Sequence, residues 1–456
     1  MHESAPARGA NGCGHRRPSS WAAGVILVAL LAWAGPARGN GALPQSYGIL
    51  LPADRPEQIV LATNFGMIFT EDGGTTWLWT CEQAQIALGY LYGIGPSPRD
   101  RFYGLSPEQG LAFSDDNSCT WRRSGGALST LVASDFFVDR GNANRVVAVA
   151  STVDPDTLEV GPDLVVESTD AGTTFADTPL YEAPADANVV SIEIARSNPM
   201  IIYVALFRTP GRFPHLLRSD DGGRTWVDRD LEAGIGQFEV RILAVDPDDP
   251  DVVYLRVVAA GMEHVAVTRD GGMTFTMPVT ITGPFGGGLS SFLRMASGTV
   301  LVGGFLTIDG GGMNGVAYRS TDGGHTFVPW TLTPQPRIFG LAERDGVLYI
   351  AGKNYSDGWA LATSRDEGVT IKPMSRYEDV RGIKPCTMDV CGDQCSLVAS
   401  QAVWTNDVCS GALLVKPPES GCHCAAAQAG VPRAVVVVCL LAAAALAVRR
   451  RRRRRG

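Results

Sequence analysis

The chain has 456 residues, 45% of them hydrophobic and 53 of them glycine, with a formal charge of −8. That apolar share suffices for a packed core, and the glycines signal many turns, in one large all-β domain or in two or three domains. Without the four arginines and one glutamate before residue 40 and the eight arginines after Cys424, 27 basic and 46 acidic groups remain, a net −19. Such a surface disfavours phosphate backbones and excludes nucleic acid as an expected partner, while leaving calcium and neutral glycans open.

Residues 1–39 carry Arg16 and Arg17, an apolar run from Ala22 to Ala34, and small residues before a cut expected after Gly39. That order is predicted to be a secretory signal, because the run is too short to span a bilayer comfortably. A buried helix is the alternative.

From Thr70 onward one octet recurs seven times: TEDGGTTW, SDDNSCTW from Ser114, STDAGTTF from Ser168, SDDGGRTW from Ser219, TRDGGMTF from Thr268, STDGGHTF from Ser320 and SRDEGVTI from Ser364. Successive copies start 44, 54, 51, 49, 52 and 44 residues apart. A period near fifty with short apolar runs predicts a propeller or a similar array. Four strands per unit are predicted, as in Arg241–Val245, Val252–Val257, His264–Thr268 and Met273–Met277, with Asp246-Pro-Asp-Asp-Pro as a turn. The octet falls between the third and fourth strands. Its carboxylate (Asp72, Asp116, Asp170, Asp221, Asp270, Asp322, Asp366) can accept backbone N–H bonds in its own turn. Its fifth-position glycine permits positive φ. Its last residue (Trp77, Trp121, Phe175, Trp226, Phe275, Phe327) can bury a ring between sheets.

The pattern S-x-D-x-G-x-T-W resembles the Asp-box, or BNR repeat, of β-propellers such as sialidases, the sortilin-type receptor, xyloglucan-cleaving glycoside hydrolases and Ycf-type assembly factors. The resemblance covers roughly residues 46–376. It implies an all-β, seven-bladed propeller over 40–376, with the boxes on the outer side of the blades, away from the channel. Two copies depart from the pattern: Ser118 stands at the glycine position and Ile371 at the aromatic one. The family's catalytic sialidases show Phe-Arg-Ile-Pro in the first blade, where this chain has Tyr47-Gly-Ile-Leu-Leu-Pro. The echo at Pro336-Arg337-Ile338-Phe339 reads as a strand start, and no catalytic residue is carried over.

Six cysteines remain between the termini: Cys81, Cys119, Cys386, Cys391, Cys395 and Cys409. In an exported chain they predict disulfides. A Cys81–Cys119 bridge between the first two blades is expected, with two local bridges inside a closing segment, 377–410. That segment is expected to add a strand near the first blade; an eighth, degenerate blade is the alternative.

A linker over 411–424 then leads to Gly421-Cys422-His423-Cys424, an apolar run from Ala434 to Val448, and seven arginines, Arg449–Arg455. This layout resembles the MYXO-CTERM sorting signal of myxobacterial surface proteins. It implies a short membrane helix within 425–456, processing by a myxosortase-like protease, and passage through the membrane during export. Cys422 follows the glycine; whether it or Cys424 is used stays open. A permanent single-span anchor is the alternative.

No cofactor and no metal is expected: His215, His264, His325 and His423 are scattered, and no nucleophile elbow or Walker loop is visible. Asp154-Pro-Asp156 reads as a turn, and Gly286–Gly288 and Gly310–Gly312 as loop tips. The expected role is a surface-attached binding or scaffold module for an extracellular glycan or protein. Thr152–Asp163, Thr209–Pro214 and Asp309–Gly315 are its expected contact surface. A cell-surface glycoside hydrolase acting on polysaccharide is the alternative, and an envelope structural protein a third possibility.

Overall fold

The computed structural model describes residues 44–414, apart from 86–90, 99, 107–109, 154–156 and 158. The signal segment, Gly421, Cys422, Cys424 and the apolar run before the arginine tail lie outside the described residues.

The fifth repeat shows how the sequence makes a blade. Its strands are Glu239–Val245, Val253–Ala259, Met262–Thr268 and Thr276–Thr282, paired antiparallel in chain order. In the second strand Val253, Tyr254, Leu255 and Val257 are fully buried. Apolar side chains point both ways because both sheet faces pack on neighbouring blades, which leaves no polar alternation. Asp246 closes the preceding turn, its carboxylate accepting the amides of Asp248 at 3.0 Å and Asp249 at 3.4 Å.

Six further sheets repeat this plan, giving seven four-stranded antiparallel blades. Their first strands are Ser46–Leu50, Leu91–Ile94, Val132–Val138, Ala187–Ile194, Glu239–Val245, Gly287–Arg294 and Gly340–Arg344. Each packs beside the next around a central channel, and Gly340–Arg344 returns to Ser46–Leu50. Seven apolar clusters of buried side chains lie one at each blade junction, as where Val147 and Val149 of the third blade meet Ile192, Ile194 and Val204 of the fourth. The core is therefore a closed ring, which removes the exposed strand edges of an open array. Gly287 and Gly288, expected in a loop tip, open the sixth first strand instead.

Because the strands alternate in direction, the ring has two faces. Turns joining first to second strands, and the octets joining third to fourth, lie on one face. The hairpins joining second to third strands, and the connections between blades, lie on the other.

The closing segment corrects two expectations. Strand Val380–Ile383 adds in parallel to Trp77–Thr80, the outer edge of the first blade. The chain then enters the helix Met388–Ser400, which takes in the Ser396-Leu-Val-Ala-Ser run; no eighth blade forms among the described residues. The bridges are Cys81–Cys391, Cys119–Cys386 and Cys395–Cys409, with Cα atoms 5.4, 5.5 and 5.5 Å apart. Cys81 and Cys119 thus do not pair with each other, and only one bridge is local. The parallel strand carries Cys386 and Cys391 alongside the first two blades, so each blade cysteine meets a partner from the far end of the chain. From Ala412 a separate unit begins, of which one turn, Ala412–Leu414, is described.

Candidate functional site

The seven octets share one geometry. In each, the first-position hydroxyl donates to the third-position carboxylate at 2.7–2.9 Å. The same oxygen accepts the fifth-position amide at 2.8–2.9 Å. The carboxylate also accepts the seventh-position amide at 2.8–2.9 Å. These bonds hold all seven carboxyls below the usual range: the Thr225 hydroxyl and amide bring Asp221 to about 2. Each aspartate is spent on its own turn, and the seven are distributed around the ring, one per blade. Trp77, Trp121 and Phe175 are buried, and Trp226, Phe275 and Phe327 partly so.

The fifth-position glycine has a second reason beyond positive φ. A Cβ on Gly172, Gly223, Gly272, Gly324 or Gly368 would come within 2.5–3.0 Å of Tyr103, Leu180, Leu216, Tyr254 or Trp330, each from the preceding blade. On Gly74 it would meet Met374 of the seventh blade at 2.5 Å, so the first octet completes the ring. The second octet tolerates Ser118, at φ 66, because its neighbour is the flexible thioether of Met67; its hydroxyl accepts Trp121 Nε1 at 2.9 Å.

Octet carbonyls also receive cross-blade donors. Tyr103 and Arg101 donate to the Ala171 carbonyl, and Tyr254 and Arg269 to that of Gly323. At the second octet the donor is Lys384, from the closing segment, at 2.6 Å from the Asn117 carbonyl. His215 meets Asp228 at 2.7 Å and His264 meets Thr280 at 2.9 Å, in different blades. No cluster of metal-ligating side chains occurs among the described residues.

Around the channel, first strands carry single-residue bulges, at Ala133/Asp135, Val189/Ser191, Ile242/Ala244 and Leu289/Ser291 among others. A bulge frees backbone amides from the ladder, and side chains of the preceding blade take them up. Asp135 accepts the Ile192 amide at 3.0 Å, Ser191 that of Ile242 at 2.8 Å, and Glu193 that of Val245 at 2.9 Å. Burial pushes the Asp135 carboxyl up to about 6, against the pull of the Ile192 amide and Arg241. It pushes Glu193 to about 7, against the Val245 amide and Arg140. Sequence reading passed over both; their signal was a carboxylate inside an apolar strand run, Asp135-Phe-Phe-Val and Ser191-Ile-Glu-Ile. A cavity of about 280 Å³ opens on the channel between the first, second, sixth and seventh blades, walled by half-buried Tyr47, Tyr92, Phe292 and Phe339 beside Ser290.

The three expected contact segments, Thr152–Asp163, Thr209–Pro214 and Asp309–Gly315, fall at second-to-third hairpins of the third, fourth and sixth blades. They share the face opposite the octets. The first two are on neighbouring blades, and the fifth blade separates them from the third. Asp154–Asp156 lies outside the described residues.

Fold and closure make the chain a seven-bladed β-propeller protein. No family model matches it, and no curated protein does. Similar solved structures include a GH74 enzyme of Niastella koreensis, at 12% identity and TM-score 0.40, over 73% of this chain and 66% of that one. The extracellular domain of a putative one component system of B. thetaiotaomicron is 13% identical with TM-score 0.49, over 74% and 42%. YCF48 from Cyanidioschyzon merolae is 13% identical with TM-score 0.41, over 68% and 94%. The chain spans less than two thirds of the length of the first two, and at such identities the likeness concerns the fold alone.

Proposed function

We propose that the chain is an exported propeller of the Asp-box group that holds an extracellular glycan or protein at its channel without turning it over. The observation that carries this reading is the division of labour in the first strands. The Asp135 and Glu193 carboxylates are engaged by backbone amides of the next blade, while Tyr47, Tyr92, Phe292 and Phe339 wall the cavity. Aromatic faces are stacking platforms for sugar rings and anchors for protein side chains. Three disulfides suit an oxidising compartment, in line with export by the 1–39 segment and attachment through the Gly421-Cys422 region. Retention of neutral oligosaccharides on immobilised protein tests it: Tyr92→Ala and Phe339→Ala should each weaken capture, and unchanged capture would refute the channel as the site.

A glycoside hydrolase is the second reading, favoured by one observation. Asp135 and Glu193 lie on adjacent first strands, with carboxyls near 6 and 7, where a general acid works best at neutral pH.

A further inference from the structure

Elsewhere in the ring, five cations at blade junctions on the octet face are occupied. Arg101 pairs with Asp115, Arg145 with Glu167, Arg218 with Asp251 and Arg319 with Glu367, while Arg269 donates to the Gly323 carbonyl. The junction between the seventh and first blades is different. Arg344 spans its inner part, donating to the Gln58 carbonyl at 2.8 Å. Farther out, a groove of about 660 Å³ opens, and the exposed side chains of Arg365 and Lys372 on its wall have no hydrogen-bond or ion-pair partner among the described residues. Gly73 and Gly74 of the first octet also line it, with the Glu57 carboxylate packed over Gly73 and the Met374 side chain over Gly74. Pro373 and Met374 add apolar atoms to the lining, the buried Tyr349 ring lies beneath Arg344, and Glu57 and Asp345 line the groove without ion-pair partners among the described residues.

We infer that this groove is a second binding site, separate from the channel, for an acidic oligosaccharide of the hexuronate type. Two unpaired cations in a chain with a large acidic surplus supply charge-assisted bonds to sugar carboxylates. Glu57 and Asp345 accept from sugar hydroxyls. Exposed Pro373 and half-buried Met374 offer apolar atoms to one face of a sugar ring. The volume lies within the ~300–1,000 Å³ usual for ligand sites and exceeds what a single oxyanion fills.

Titration of the full chain with oligogalacturonate, with its methyl ester, with inorganic phosphate and with polyglutamate tests the assignment. Oligogalacturonate is expected to bind, and to bind more weakly as salt rises from about 0.05 to 0.2 M. The Arg365→Ala/Lys372→Ala double variant, whose side chains are exposed, should keep the wild-type melting temperature and lose about 10-fold or more in affinity. Arg365→Lys should retain most of it, and the groove shares no lining residue with the channel cavity. Failure of the neutral-sugar experiment on the channel therefore does not touch this site. Equal binding of the methyl ester, phosphate or polyglutamate, no binding of oligogalacturonate, or a double variant within about twofold of wild type would overturn it.

Discussion

The Lys384 ammonium donates to the carbonyl of Asn117, 267 positions earlier in the chain, at 2.6 Å. It also lies 3.4 Å from Glu71 and over the Phe69 ring. One side chain of the closing segment thus joins the first blade to the second, where other junctions use a residue of the preceding blade. The neighbouring Cys119–Cys386 and Cys81–Cys391 bridges fix that segment in place. Replacing Cys81 and Cys391 together with serine should cost about 2–5 kcal/mol, and Lys384→Met about 1–3 kcal/mol through the unsatisfied carbonyl. Denaturant unfolding checks both. Non-reducing peptide mapping should recover Cys81–Cys391, Cys119–Cys386 and Cys395–Cys409; a Cys81–Cys119 peptide would contradict the closure.

The octet glycines separate two causes that sequence alone merges. Gly324 has φ +81, and an added Cβ would lie 2.8 Å from Tyr254; Gly346 has φ +72 and nothing within 4 Å. Gly346→Ala should cost about 1–2 kcal/mol for the left-handed backbone. Gly324→Ala should cost about 1–3 kcal/mol more for the clash. Equal losses in thermal unfolding would remove the close approach from the account.

Asp170→Ala should destabilise by about 1–3 kcal/mol, because the Thr174 amide and the Ser168 hydroxyl lose their acceptor. Ligand capture by the folded variant should be unchanged, since the octet serves its blade. Loss of capture at full stability would mean that the octets contact ligand.

Two sets of carboxyls shape stability in opposite directions. The octet aspartates have depressed native values, so their contribution is complete above about 4 and is lost as pH falls towards 2. Asp135 and Glu193 have raised native values: they favour the fold at low pH, and that contribution is lost as pH rises through about 6 and 7. Stability should therefore peak at about pH 4 and decline from there to about pH 7. Asp135→Asn with Glu193→Gln should flatten the decline on the alkaline side. Melting curves of the wild type that stay level from about pH 4.5 to 7.5 would contradict this.

The blades were legible because each is locally specified: octet spacing, Asp246-Pro turns and short β-branched runs such as Val252–Val257 recur from unit to unit. Ring number came from counting the octets. Closure was legible only in part. That a strand joins the first blade could be expected from the need to cover an edge, but the partners of Cys81 and Cys119 depend on where Val380–Ile383 docks, some 300 residues away. Asp135 and Glu193 were missed because their role lies in bulge amides of the next blade, which no local pattern displays. The groove at Arg365 was missed for a related reason. Its lining comes from both ends of the array, Glu57 and Gly73 of the first blade and Asp345, Arg365 and Lys372 of the seventh, a meeting that only the closed ring produces.

Binding without turnover is most directly examined by incubating the full chain with a panel of polysaccharides and measuring released reducing ends alongside retention. Capture of at least one polymer with no new reducing ends is the expected result. Steady release that disappears in Asp135→Asn or Glu193→Gln, with folding intact, would show instead that these two carboxylates form a hydrolytic pair.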